Sequence, residues 1–272
     1  MASPPESHIK AVEEIENLFA ELSKSRKDYD FQPPALASHA HAYADQPERL
    51  HLYARQVISG RIMILFASSR MNTQILLHSY LLGKDAINPF SILLAARSQL
   101  ELLSVVADTA RVIRENAGTH ADNYAARVHK VDEALIMATF GTKHPQLKSF
   151  MSKAGLSRLR ATTSADLDLL SAKNVLTRLE KISKTGGFPN CMEDYERLCE
   201  YVHPNFGMNM LHVIASPLGE KLLRFSLTSR EPFERALLVS APIMARAARG
   251  TVRAMEELQP PFGLGTVTRL RR

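Results

Sequence analysis

Two long helical segments, joined by a short connection, limit most strongly what this chain can fold into. The first runs from about residue 47 to 82 and the second from 88 to about 116. Pro47 suits the first turn of a helix, and Gly83 and Gly118 suit the positions just beyond the two helix ends. We therefore predict an antiparallel helical hairpin that forms the scaffold of the fold.

Helical periodicity continues through most of the remaining sequence, and signals for strands are almost absent. Further helices are predicted at residues 7–28, 120–140, 145–154, 164–184, 194–203 and 231–258, with a linker at 31–45 and a kink at Pro242. The one predicted β element is a small hairpin formed by residues 211–215 and 221–227. The predicted fold class is all-α with this one hairpin: a single domain over 1–272, with seven or eight helices and a flexible basic tail at 259–272. Segment 62–66 is apolar on all sides, which predicts burial around its whole circumference.

Composition narrows the class of protein. Apolar residues make up 45% of the 272 residues, which is ample for a core, and the net charge of +6 favours anionic partners. Cys191 and Cys199 are the two cysteines, and no Cys-x-x-Cys or His-x-x-x-His pair is present, so neither a disulfide framework nor a metal site is indicated. The sequence begins without signal-peptide features and contains no apolar run long enough to cross a bilayer. We expect a cytoplasmic protein without a membrane partner, a cofactor or a metal.

One predicted helix ends abruptly on a histidine. Its apolar face is formed by residues at i, i+3, i+4 and i+7, namely Tyr195, Leu198, Cys199 and Val202. Pro204 disfavours the α conformation of the preceding residue, so the helix should end at or near His203. The imidazole then lies beside the negative end of the helix dipole, which favours the protonated ring.

A polar stripe follows one face of the second long helix. Its members are spaced by four and three residues and comprise Arg97, Glu101, Ser104, Asp108, Arg111 and Glu115. Such a stripe is commonly a solvated or interhelical polar face. Apolar residues surround its first half, however, so Arg97 and Glu101 are predicted to be partly buried and paired. Our hypothesis is that this pair faces His203 and forms a pocket.

The segment around the histidine resembles the HEPN superfamily, an all-helical group that includes metal-independent ribonucleases of bacterial toxin and defence systems. The resemblance rests on Arg197 and His203 on a late helix, within the phrase Tyr195-x-x-Leu198-x-x-x-x-His203-Pro204. Uncharacterised bacterial all-helical families with a similar phrase also carry an earlier Arg-x-x-x-Glu helix, which here corresponds to Arg97 and Glu101.

The resemblance implies an RNA- or nucleotide-binding protein, with metal-independent cleavage of RNA as the reaction. Arg197 and His203 would be the catalytic pair, because this reaction needs a base near the 2′-hydroxyl and a cation for the phosphate. Arg97, Glu101, Tyr195 and Asn205 would orient that pair or line its pocket. Sites of this kind are commonly built across a two-fold axis, which implies a homodimer.

The spacing of the catalytic pair also allows a second interpretation. Six residues correspond to 600° of helix rotation, which leaves the side chains of Arg197 and His203 about 120° apart. They converge only if the helix end unwinds or a second subunit contributes. Otherwise Arg197 is a solvated arginine, His203 a structural residue at a helix end, and the chain a non-catalytic helical interaction protein.

The last predicted helix carries basic residues on one face, including Arg246, Arg249 and Arg253. This face is a candidate contact for nucleic-acid phosphates. No aromatic residues alternate with the arginines, so base stacking is not indicated. The alternative is a solvated basic face on a helix of the core.

Overall fold

The computed structural model describes most of the helical part of the chain. The described residues are 9–10, 12–17, 20, 40–43, 45–82, 89–119, 123–140, 174–185, 187–203, 206–211, 213–215, 223–225 and 231–258. After a 3-10 turn at Ala40–Tyr43, the helices are α1 (Pro47–Tyr53), α2 (Ser59–Leu82), α3 (Pro89–Thr119), α4 (Tyr124–Phe140), α5 (Val175–Thr185), α6 (Cys191–Val202), α7 (Phe206–Leu211) and α8 (Glu231–Leu258). Two short strands, β1 (Val213–Ala215) and β2 (Leu223–Phe225), precede α8. The predicted all-α class is confirmed.

The helices of the predicted scaffold begin and end close to the predicted residues. Pro47 and Pro89 open α1 and α3, and a π-helical turn at Ala54–Ile58 joins α1 to α2 without a break. The fourth helix begins at Tyr124 rather than near 120, because the Asn123 side chain accepts a hydrogen bond from the Ala126 N–H (3.0 Å) and caps it. The helix predicted at 145–154 lies outside the described residues, as does the basic tail at 259–272.

The chain groups into two compact units, and the single domain expected from the sequence stays a prediction. The first unit comprises Met1–Lys24, Ser68–Leu103 and Ile182–Val252, and the second comprises Ser25–Ala67, Ser104–Lys181 and Arg253–Arg272. Each unit has its own apolar core. In the first, Leu76, Ile92, Leu93, Leu198 and Phe233 are almost completely buried; in the second, Tyr53, Ile58, Ile62, Val128 and Leu135 are.

A buried polar network ties three helices of the first unit together. The Gln99 amide of α3 donates to Ser69 Oγ on α2 and to Thr251 Oγ1 on α8, both at 3.0 Å, and accepts a hydrogen bond from Asn72 at 3.3 Å. Gln99, Ser69 and Thr251 are fully buried. Because unpaired polar groups are costly in a core, this network favours one register of the three helices.

The prediction that segment 62–66 is buried on every side is wrong. Ile62, Leu65 and Phe66 are buried, but Ile64 is 47% exposed and Met63 is half-buried. The apolar pattern shows which residues tolerate burial, whereas the neighbouring elements decide how much of the helix circumference is covered.

The predicted hairpin is present in the first unit. β1 and β2 pair antiparallel, with Val213 opposite Phe225 and Ala215 opposite Leu223. The Arg235 guanidinium of α8 donates to the carbonyl oxygens of Val213 in β1 and Met210 in α7, so this arginine ties the hairpin and α7 to α8. α8 continues through Pro242 from Glu231 to Leu258, and the predicted kink there stays a prediction.

The segment Pro89–Glu115 of α3 is long and apolar enough to cross a membrane by length and composition alone, with a mean hydropathy of 1.5. A core helix of a soluble protein meets the same criteria, and 56% of the segment is buried. Polar residues interrupt this segment, so it was not apparent as an apolar run in the sequence, and it is weak support for a membrane span.

Candidate functional site

The candidate site in the first unit is centred on Arg97, which projects from α3. Its side chain is 21% exposed, and Nε donates to Glu101 Oε1 at 3.0 Å, one turn further along the same helix. The predicted pairing and partial burial of these two residues are therefore observed. The other two nitrogens of the guanidinium, Nη1 and Nη2, contact other residues.

Tyr195 of α6 closes a ring of hydrogen bonds with this pair. Its hydroxyl accepts from Arg97 Nη2 at 3.1 Å and donates to Glu101 Oε1 at 3.3 Å. The guanidinium carbon also lies 5.2 Å from the centre of the tyrosine ring, within the range of a cation–π contact. Because Tyr195 is buried, the ring of hydrogen bonds holds the arginine in one orientation.

His203 brings its imidazole to the same guanidinium. It ends α6 in an extended conformation (φ −89°, ψ 160°), and its backbone N–H donates to the Cys199 carbonyl at 3.0 Å. The ring Nε2 lies 3.3 Å from Arg97 Nη1. The proline-imposed helix end thus places the imidazole beside the cation, as hypothesised from the sequence.

This contact assigns the donor and the acceptor. A guanidinium only donates hydrogen bonds, so Nε2 must accept and carry no proton when the bond forms. The neutral ring then has its proton on Nδ1.

Burial and hydrogen bonding change the acidity of the groups around His203. Burial lowers the pKa of Arg97, but the Tyr195 hydroxyl, Cys199 and Glu101 together raise it above the ordinary value, so the guanidinium stays charged. Burial also raises the pKa of Tyr195, against the opposing effect of Arg97, so its hydroxyl remains protonated and can donate to Glu101. The site at neutral pH therefore contains a fixed cation and a neutral phenol.

The Arg97 guanidinium retains capacity for a further ligand. Of its five N–H groups, one each on Nε, Nη1 and Nη2 is bonded to Glu101, His203 and Tyr195. One N–H on Nη1 and one on Nη2 have no partner among the residues that the structure describes. Since the side chain is partly exposed, these two donors can bind an anion.

Arg197 does not join this site. It is exposed on α6 and makes no hydrogen bond or ion pair with His203 or any other described residue. The arginine that contacts the histidine is Arg97, which the sequence assigned only an orienting role. Asn205, predicted to help line the pocket, lies outside the described residues.

Cys199 is a neighbour of the site that sequence reasoning missed. It is a half-buried free thiol and contributes to the electrostatic environment of Arg97. Its spacing was the available signal, because residue 199 lies four positions from both Tyr195 and His203 and therefore on their side of the helix.

The rest of the predicted polar stripe belongs to the second unit. Ser104 and Asp108 are buried there, and Arg111 pairs with Asp108 at 2.8 Å and with Glu115 at 2.6 Å. The stripe therefore contributes to two different environments, and only its first two residues form the candidate site.

The basic face of the last helix is largely neutralised. Arg246 Nη2 contacts both carboxylate oxygens of Asp194, at 2.7 and 2.8 Å, and Arg249 pairs with Glu14. Arg253 is exposed and has no ion pair within the described part of the chain. Carboxylates beside two of the three arginines reduce the field that would attract a phosphate backbone.

Among the described residues, no group of three or more His, Cys, Asp or Glu side chains is arranged to hold a metal ion. Comparisons with protein-family models, with curated proteins and with solved structures found no match to this chain.

Proposed function

We propose that the cluster of Arg97, Glu101, Tyr195 and His203 binds a phosphate group of RNA or of a nucleotide. We further propose that the protein is a metal-independent endoribonuclease of HEPN-like character, as in bacterial toxin and defence systems. The observation that carries the proposal is the 3.3 Å contact between Arg97 Nη1 and His203 Nε2, which pairs a fixed cation with a basic nitrogen.

Phosphate binding follows from the donors of Arg97. Its two N–H groups without described partners suit two phosphate oxygens, and such bidentate pairs are stronger than single hydrogen bonds. Glu101 and Tyr195 hold the guanidinium from the other side, at 3.0 and 3.1 Å, so little side-chain entropy remains to be lost on binding.

His203 supplies the base for cleavage. A phosphate that binds the two spare N–H groups and draws the guanidinium away from the ring releases Nε2, and the neutral ring can then accept the proton of the ribose 2′-hydroxyl. The 2′ oxygen attacks phosphorus, the bond from phosphorus to the 5′ oxygen breaks, and the 5′ oxygen takes a proton from water. The hydroxide left behind takes the proton from His203, which returns the ring to its neutral form. The products are a 2′,3′-cyclic phosphate and a 5′-hydroxyl end, while Arg97 stabilises the charge that develops on the phosphate.

Cleavage of a fluorescently labelled single-stranded RNA in excess chelator tests this function. His203→Ala and Arg97→Gln should each lower the rate at least 100-fold, with unchanged circular dichroism. Arg197→Gln is the matched control and should retain activity. It removes an exposed arginine of α6, the helix that ends at His203, and this arginine has no partner among the described residues. Loss of cleavage in Arg197→Gln with retention in Arg97→Gln would reverse the assignment of the cation.

RNA retention without cleavage would limit the function to binding. That retention should fall as salt rises, because phosphate contacts release counterions. Of the basic face, Arg253 is the best candidate for an added phosphate contact, because Arg246 and Arg249 already have carboxylate partners. A homodimer in the cytoplasm is part of the same proposal.

The second candidate function is a non-catalytic helical interaction protein with a structural His203 network. The closed ring of hydrogen bonds among Arg97, Glu101 and Tyr195 favours it, because this ring joins α3 to α6 without any ligand. In that case His203→Ala would lower the melting temperature, and no phosphate compound would bind Arg97.

A further inference from the structure

A cavity in the second unit contains an arginine whose charge is poorly compensated. The cavity has a volume of about 220 Å³, and Arg178 of α5 lines it together with residues of α3 and α4. The Arg178 side chain is only 8% exposed. Its Nε is buried without a hydrogen-bond partner, which is unusual because buried donors are nearly always paired.

The other charged residues of the cavity wall have close partners. Asp108 pairs with Arg111 at 2.8 Å, and Lys130 pairs with Glu133 at 2.9 Å. Arg178 has only Asp108, with 4.0 Å between Nε and Oδ2, which is too long for a hydrogen bond. Burial accordingly lowers the pKa of Arg178, and Asp108 opposes that shift only in part. Arg178 is therefore the charged residue of the described wall whose side chain has no hydrogen-bonded partner.

The remaining wall is apolar. Val112 of α3 and Ala134 and Met137 of α4 line the same cavity. An occupant should therefore have an anionic end for the guanidinium and a short hydrocarbon part for these side chains. Pockets for drug-sized molecules measure about 300–1,000 Å³, so a cavity of about 220 Å³ suits a smaller molecule.

We propose that this cavity binds a short-chain monocarboxylate, whose carboxylate pairs with Arg178 and whose hydrocarbon chain contacts Val112, Ala134 and Met137. A carboxylate matches the planar fork of the guanidinium, to which it can pair with two hydrogen bonds. The site lies in the second unit and shares no residue with the Arg97 cluster, so its validity is independent of the proposed ribonuclease function.

Nuclear magnetic resonance of protein with isotopically labelled methionine methyl groups tests the proposal on the intact chain. Butyrate should shift the Met137 signal in a saturable manner, whereas butyramide, which has the same shape without the charge, should not. The signal is assigned with Met137→Leu, and Met71, which is 59% exposed and does not line the cavity, serves as the internal control.

Arg178→Met should weaken butyrate binding by about tenfold or more, because it removes the charged fork while keeping the length of the side chain. Arg197→Met should leave binding unchanged. Three results would each overturn the proposal: no saturable shift of the Met137 signal, equal shifts with butyrate and butyramide, or a stronger response to inorganic phosphate. Because the wild-type titration alone distinguishes these outcomes, the test holds even if Arg178→Met does not fold.

Discussion

Arg97 Nη1 and His203 Nε2 lie 3.3 Å apart although the two residues are separated by 106 positions in the chain. The contact joins α3 to the end of α6 and brings a permanent cation to a nitrogen that must be unprotonated to accept its hydrogen bond. Two side chains that are individually ordinary thereby become a pair able to bind an anion and to remove a proton.

Tyr195→Phe tests whether the tyrosine positions the arginine. The change removes the hydrogen bond that Arg97 Nη2 donates to the hydroxyl and one of those that Glu101 Oε1 accepts, while the hydrogen bond from Arg97 Nε to Glu101 remains. We expect a loss of about 1–2 kcal/mol in the free energy of unfolding, measured by urea denaturation. We also expect weaker RNA retention at constant salt, whereas a change in stability alone would argue that the hydroxyl has no effect on ligand binding.

Gln99→Ala should be among the most destabilising changes in the first unit. It removes three hydrogen bonds, leaves Ser69, Asn72 and Thr251 without those partners and opens a cavity in a fully buried position. We expect a loss of about 2–4 kcal/mol. Ser98→Ala, at the exposed neighbouring position, is the control and should change stability by less than about 0.5 kcal/mol. Similar midpoints of urea denaturation for the two variants would contradict a stabilising role of the Gln99 network.

Gly250→Ala tests packing around α8. In an open helix this change gains about 1 kcal/mol, because alanine is the better helix former. Here a Cβ would lie 2.6 Å from the ring of Phe188 and 3.1 Å from Leu103 Cδ1, and both contacts are too close. We expect overpacking to outweigh the gain and to lower the melting temperature, at a cost of about 1–2 kcal/mol. Adding Phe188→Leu to Gly250→Ala should recover part of the loss; a stabilised single variant would show that the ring moves aside freely.

Alkaline pH should destabilise the second unit through Tyr53. Its buried hydroxyl donates to Asp132 at 3.0 and 3.1 Å, while Asp132 also accepts from Arg61 and from the Ala40 N–H. Burial, together with the Asp132 charge, raises the pKa of Tyr53 far above its ordinary value. A raised pKa stabilises the fold below the unfolded-state pKa of about 10, and that stabilisation is lost as pH rises through the folded-state value.

The melting temperature of the wild type should therefore fall above about pH 10 more steeply than that of Tyr53→Phe, which has no phenol to ionise. Parallel curves for the two proteins would show that ionisation of Tyr53 is not linked to unfolding.

The positions of the helices were readable from the sequence because local rules govern them. Pro47 and Pro89 open helices because their rings fix φ and lack a donor that the first turn does not need. Pro204 forces an extended conformation on His203, which ends α6 as predicted. These effects act over one to four residues, so no knowledge of the fold is required.

Only the tertiary structure decided which arginine meets His203 and which charges neutralise one another. The local motif favoured Arg197, six residues away, but helical geometry directs that side chain to solvent while packing brings Arg97 from another helix. Asp194 and Glu14 likewise pair with arginines of the basic face of α8. Packing also leaves Ile64 exposed within an apolar segment. Such contacts join residues far apart in the chain, and packing between elements, which no local pattern encodes, determines them.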